Sequence, residues 1–167
     1  SVFPQLYLDQ LIQLDDQQKK EVQANMRAGI NRLMDFQLSE GGFSYWPGRE
    51  NVSNWGTSYA GHFLLEAHEK GYDLPEGMIS KWKRYQKQAA RGWTSGHYND
   101  TYRAGLLTQA YRLYTLALAG EPEKGAMNRL RKSDDLTLQA RWRLAAAYQL
   151  AGQEKVAQEL TNEFSTD

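Results

Sequence analysis

The sequence predicts an all-α domain of about eight helices arranged as antiparallel pairs, spanning residues 1–167 as one unit. Three observations carry that prediction. Apolar residues recur at spacings of three and four along most of the chain. No run alternates with the period of two that a half-buried strand needs, and glycine–aromatic loops punctuate the helical stretches. A long helix, a loop and an inward-facing helix then repeat, which fits either an open solenoid of helical hairpins or part of an α/α toroid. Large aromatics gathered in the loops favour the toroid, in which loops and inner-helix ends converge on one mouth.

Taken in order, Phe3, Leu6, Tyr7, Leu11 and Leu14 share a helical stripe, with Pro4 tolerated in its first turn. Asp15-Asp16 interrupts the pattern and caps a second helix. The inner face of that helix is expected to hold Val22, Met26, Ile30, Leu33 and Gln37, and Gly29 within it should cost about 1 kcal/mol against alanine.

The central stretch, QLSEGGFSYWPGRENVSNWGTSYAGHFLLEAH over residues 37–68, organises the chain. Gly41 and Gly42 follow the end of the second helix, where positive φ and close backbone approach suit residues lacking Cβ. Phe43, Tyr45 and Trp46 come next, and Pro47-Gly48 signals a turn. Asn54 is the expected cap of the third helix, and Gly71 its stop. Trp55, Tyr59, His62, Phe63 and Glu66 place an aromatic face on that helix. Phe43 and Phe63 read as core packing. Tyr45, Trp46, Trp55 and Tyr59 divide between packing and a binding surface, as do Trp93, His97 and Tyr98 in a second glycine–aromatic loop.

Pro75 introduces a fourth helix with the stripe Met78, Ile79, Trp82, Tyr85, Gln86 and Ala89. The second loop, from Gly92 to Asn99, leads to a fifth helix capped by Asn99 or Asp100, with Tyr102, Leu106, Ala110, Leu113 and Ala117 inside and Gly120 as its end. A short sixth helix should run from about Pro122 to Lys132. Ser133 or Asp134 should cap a seventh carrying Leu138, Trp142, Ala145 and Tyr148, and Val156, Leu160 and Phe164 mark the last. The tail ARWRLAAAYQLAGQEKVAQEL has the small residues of a tetratricopeptide-like hairpin.

Composition narrows the chemistry. Twenty Lys and Arg balance twenty Asp and Glu, so no net field favours nucleic acid or an anionic membrane. No apolar run approaches the ~18 residues that span a bilayer. With no cysteine, these 167 residues hold no disulfide, thiolate metal site or cysteine nucleophile. The three histidines are His62, His68 and His97; the first two are six apart and do not share a helix face as a metal-binding i, i+4 pair does. We therefore expect no metal and no cofactor. Glu40, Glu50, Asp73 and Asp100 lie in or near loops, but solvation or capping explains them as well as a glycosidase pair does. The basic runs at 81–84 and 129–132 read as solvated helix faces. No GxSxG, P-loop or strand-borne GxGxxG is present.

SVFPQLYL, GGFSYWPG, SNWGTSYAGHFLLEAHEKGYDLP, QAYRLYTLALAGEPEKGAMNRLR and ARWRLAAAYQLAG together resemble the thioester-containing domain of bacterial α2-macroglobulin-like proteins, over essentially the whole chain. The resemblance implies an α/α-toroid domain of a large protein of the cell envelope or periplasm. In such a protein a protease cuts a bait region and is then acylated by a strained thioester. It implies proteases and the parent's other domains as partners, and an inhibitor in place of an enzyme. The family forms its thioester from a Cys and a Gln in a CxEQ motif, expected just upstream of Ser1. No catalytic residue therefore carries over, and the segment is expected to be inactive alone.

A segment cut from such a parent is also expected to form an open, C-shaped part of the toroid with exposed apolar surface. Two alternatives remain on the residues themselves. One is an α/α-toroid enzyme acting on carbohydrate or terpenoid, with aromatic loops as stacking platforms, although the aspartate-rich motif of terpene cyclases is absent. The other is a tetratricopeptide-like peptide-binding scaffold.

Overall fold

The computed structural model describes residues 2–94, 100–134 and 136–162. Among them lie two short 3-10 segments, Phe3–Tyr7 and Leu33–Asp35, and eight α-helices. These are α1 (Leu8–Leu11), α2 (Asp16–Arg32), α3 (Asn54–Glu69), α4 (Met78–Gly92), α5 (Asp100–Leu118), α6 (Lys124–Arg131), α7 (Leu138–Leu150) and α8 (Glu154–Asn162). The loop between α2 and α3 contains two isolated antiparallel bridges, Gln37 with Phe43 and Ser44 with Val52. The all-α expectation holds. The chain divides into two compact units, Ser1–Trp82 and Lys83–Asp167, with the boundary inside α4.

In the first unit the aspartate pair acts as expected. The Asp15 carboxylate accepts the Gln18 N–H at 2.8 Å, and the Gln18 side chain accepts the Asp15 N–H at 3.0 Å, a capping box that satisfies two donors at once. Met26 and Ile30 are buried from α2, whereas Val22 and Leu33 are only half-buried. The N-terminal stripe is not one helix. The chain turns extended at Ile12, so α1 is a single turn and Leu11 is left exposed while Leu6 enters the core. Gly29 also makes room within the fold. A Cβ there would sit 2.8 Å from a Val2 methyl, so the missing side chain admits the N-terminal segment.

Helix α3 is capped one residue earlier than expected, by Ser53, whose Oγ accepts the Gly56 N–H at 3.1 Å; Asn54 is the first helical residue. The helix ends where Gly71 turns left-handed (φ 88°). There the Gly71 and Tyr72 N–H groups reach back to the carbonyls of His68 and Ala67 at 2.9 and 3.0 Å, the Schellman arrangement that closes a helix C-terminus.

In the second unit, α5 packs against α6 and α7, and α7 against α6 and α8. Leu106, Ala110, Leu113 and Ala117 face inward from α5 as expected; Asn99 and the side chain of Tyr102 lie outside the described residues. On α4, Ala90 is fully buried where Ala89 was expected. Helix α7 is capped by Thr137, not by Ser133 or Asp134: Thr137 Oγ1 accepts the Ala140 N–H at 3.2 Å. Ala140, Leu144, Ala147 and Tyr148 form its buried face, and Ala145 is buried as expected. Leu138 and Trp142, expected inside, are exposed because the inner stripe runs through Ala140, Leu144 and Ala147. Val156 is half-buried, Leu160 is buried, and Phe164 falls outside the described residues. Alanine on α5, α7 and α8 lets their backbones approach closely, which agrees with the hairpin reading of the tail.

Polar groups also lie inside this unit. Gln86, Gln109, Arg112 and Thr115 are essentially inaccessible to solvent. Arg112 Nη1 donates to Gln109 Oε1 at 2.5 Å and Nε to Gln86 Oε1 at 3.3 Å. Gln109 Nε2 donates to the Ala90 carbonyl at 3.0 Å, and Gln86 Nε2 to Thr115 Oγ1 at 3.4 Å. Burial pushes the Arg112 guanidinium down from its ordinary value, the expected direction for a desolvated cation.

At the surface, Glu121 lies between Lys87 and Lys83, with Lys83 Nζ 3.1 Å from Glu121 Oε1. Hydrogen bonds from Lys87 and then Lys83 hold its carboxyl below the usual carboxylate range. A depressed folded pKa contributes stability that is complete above the unfolded carboxylate value, near ~4.3, and is lost as pH falls through the folded value. Glu121→Gln should therefore flatten the acid limb of a stability–pH profile by at most about 1 kcal/mol, because the pair is part-exposed. Denaturant midpoints across the acid range for both proteins would check this.

Candidate functional site

The loop from Gln37 to Ser53 and the start of α3 present the aromatic residues singled out in the sequence. What they expose depends on how firmly the loop is anchored. Gly41 has φ 106°, and a Cβ there would fall on the Lys81 main-chain carbonyl, so the loop backbone rests directly on the start of α4. Gln37 Nε2 adds bonds to the Met78 carbonyl at 2.9 Å and to the Gly41 carbonyl at 3.2 Å. The Phe43 N–H donates to Thr57 Oγ1 at 2.8 Å, and the Thr57 hydroxyl donates back to the Phe43 carbonyl at 3.3 Å. Trp82, fully buried, donates its indole N–H to the Thr57 carbonyl at 2.9 Å. A polar chain thus runs from the core tryptophan through α3 to the loop. Ser44 closes the turn, its N–H donating to the Phe36 carbonyl at 2.9 Å and its hydroxyl to the Trp46 carbonyl at 2.8 Å.

On this anchored loop the aromatics separate cleanly. Phe43 and Phe63 are buried, as their packing role requires. Tyr45 and Trp46 are 71% and 63% exposed, with rings edge-on at 5.3 Å, and Trp55 and Tyr59 are 42% and 44% exposed. Four large aromatics are thus held partly in water. Tyr45 and Tyr59 come together at a mostly apolar cavity of about 220 Å³, closed by Phe36, Phe43 and Phe63 and by the N-terminal Val2 and Phe3; Trp46 and Trp55 do not line it. Trp93 belongs to the second unit, where it is half-buried against the core, and His97 and Tyr98 lie outside the described residues.

Sequence reasoning did not anticipate that the N-terminal segment covers the aromatic face of α3. Phe3 lies 5.2, 5.1 and 5.6 Å, centroid to centroid, from Tyr59, His62 and Phe63. Tyr7 donates its hydroxyl proton to Glu66 Oε2 at 2.7 Å, and His62 Nε2 stands 3.5 Å from Glu66 Oε1. The only signal was Gly29, whose missing side chain makes room for Val2. Among the described residues no cluster of His, Asp or Glu could hold a metal ion, and no helix is long and apolar enough to cross a membrane.

Helices joined by an anchored loop that displays aromatics define an all-helical domain. The family model of the A-macroglobulin TED domain matches residues 1–103, and the chain belongs to that family. The Escherichia coli (strain K12) alpha-2-macroglobulin is 28% identical over 138 residues, which make up 77% of this chain and 8% of that protein. An alpha-2-macroglobulin homolog of Nostoc is 34% identical over 64 residues, 38% of this chain and 3% of that one. The native conformation of E. coli alpha-2-macroglobulin, solved by cryo-EM, matches 97% of this chain and 11% of its own at 25% identity, with a TM-score of 0.82. The Salmonella alpha-2-macroglobulin reacted with methylamine matches 97% of this chain and 11% of its own at 26% identity, with a TM-score of 0.78. The chain thus spans about a tenth or less of these relatives.

Proposed function

We propose that residues 1–167 act as one thioester-type domain of a bacterial α2-macroglobulin-like protease trap, and that its aromatic surface shields the thioester from water. The observation that carries this reading is the exposure of Tyr45, Trp46, Trp55 and Tyr59 on an anchored loop and helix in a chain of this family. Related structures described as the E. coli protein activated by trypsin and by porcine elastase support proteases as the parent's partners. The Salmonella protein's reaction with methylamine supports acyl chemistry.

Without cysteine, the domain forms no thioester from these residues alone. Its task is to exclude water, because an activated acyl group exposed to solvent hydrolyses before it meets a protease amine. The parent acts stoichiometrically, as an inhibitor in the bacterial envelope, and the domain's further partners are the parent's other domains.

The test is the parent protein carrying Trp46→Ala and Trp55→Ala. Thioester half-life, read by thiol release, and the yield of covalently captured trypsin should both fall by about tenfold or more, the scale of about 1.4 kcal/mol lost with the two aromatic covers. Unchanged lifetime and capture would remove the shielding role while leaving the fold assignment in place.

A further inference from the structure

A second cavity of the first unit lies away from the aromatic loop and has a different chemistry. It holds about 430 Å³ and is lined by the N-terminal segment, one face of α2 and the turn after α3. Lys19, Gln23 and Arg27 recur every four residues on α2, so an ammonium, an amide and a guanidinium stand in a row along that wall. Lys70 contributes a third cation from the opposite element, its ammonium held 4.8 Å over the Tyr7 ring. Neither Lys19 nor Arg27 is ion-paired among the described residues, and Asp73 is the one carboxylate in the lining. Three cations against one anion give the cavity a positive field in a chain whose total charge is zero.

Gln5 supplies the second observation. It lines the same cavity, and its side-chain oxygen is buried with no hydrogen-bond partner. A buried acceptor without a donor costs about 1–3 kcal/mol, and a ligand N–H would remove that cost. Leu14 and Val22 provide apolar wall between the charges.

We infer that this cavity binds an acidic peptide segment in extended conformation. The spread of the cations decides between an extended ligand and a compact anion. Lys19 and Arg27 are eight residues apart, about 12 Å along the helix at 1.5 Å per residue, too far for one phosphate or sulfate to contact both. An extended chain rises about 3.3 Å per residue, so carboxylates four positions apart span about 13 Å and project from the same side of the strand. The peptide's backbone supplies the N–H that Gln5 lacks. Tyr45, Trp46, Trp55 and Tyr59 do not line this cavity, so the inference stands independently of the shielding role.

The probe is an acetylated, amidated pentapeptide, Glu-Gly-Ser-Gly-Glu, titrated into the full 167-residue chain at low salt with calorimetry and amide NMR. Saturable binding with a Kd below about 1 mM is expected, with shifts confined to residues 5–27 and 70–73 and a steep loss of affinity when salt is raised. Arg27→Glu and Lys19→Glu should each weaken binding at least about tenfold, and Gln5→Leu about threefold to tenfold. Lys19 and Arg27 are exposed, and unchanged circular dichroism confirms that each variant folds. Equal binding of the Lys-for-Glu pentapeptide, indifference to Arg27→Glu, or no saturation by about 5 mM overturns the inference. Sulfate that competes fully at equal concentration also overturns it, in favour of a bare anion site.

Discussion

Trp82→Ala should lower stability by about 3–5 kcal/mol, the range for truncating a fully buried large aromatic side chain. Two losses add in this variant: the cavity left by the indole, and the bond from its N–H to the Thr57 carbonyl. Trp82→Phe separates them, since it keeps most of the ring but cannot donate, and should cost about 1–2 kcal/mol. The residue beneath the ring provides a sharper check. A Cβ on Gly61 would overlap the Trp82 indole, so Gly61→Ala alone should destabilise by about 1–3 kcal/mol through overpacking. In the Trp82→Ala background the same methyl enters vacated space on a helix, where alanine is favoured over glycine by about 1 kcal/mol, and Gly61→Ala should become neutral or stabilising. Urea midpoints for the four proteins of this cycle decide the matter, and strict additivity would show that the two residues do not share that space.

Arg112→Met should cost about 2–4 kcal/mol despite conserving much of the apolar stem. The guanidinium donates to the Oε1 acceptors of both Gln109 and Gln86, and its removal takes a donor from two buried oxygens at about 1–3 kcal/mol each. Part of that loss is returned because a buried cation no longer needs to be desolvated, which is the force already pushing Arg112 below its ordinary value. The pair Arg112→Met with Gln109→Leu should therefore be less destabilising than the sum of the single changes, by about 1 kcal/mol or more. A double variant as costly as the sum would mean that the two side chains act separately. The same denaturant experiments, followed by circular dichroism, give the answer.

How far these features could be read in advance follows from their range along the chain. Local signals were legible: the Asp15 cap needs only residues 15–18, and the Gly71 stop needs only the last turn of α3. The aromatic loop was legible as a cluster, and Phe43 and Phe63 as its packed members, because glycines and ring spacing are sequence properties. The caps of α3 and α7 slipped because several neighbouring polar residues could each accept the bond, and the choice of Ser53 and Thr137 depends on where packing starts the helix. Leu138 and Trp142 were misplaced for a related reason: with alanine abundant, the helical period alone did not decide which face of α7 turns inward. The contact of Phe3 with Tyr59 spans 56 positions, and the buried group around Arg112 uses residues that normally prefer water. Neither leaves a periodic trace.

The bonds that fix the aromatic loop run largely to main-chain atoms. Gly41 rests on the Lys81 carbonyl, Gln37 holds the Met78 and Gly41 carbonyls, and Ser44 ties the Phe36 and Trp46 carbonyls. Main-chain atoms are the same whatever residue carries them, so the identities at 45 and 46 are decoupled from the scaffold that presents them. Drift, or a randomised library, can sample those two positions freely while the frame keeps its shape.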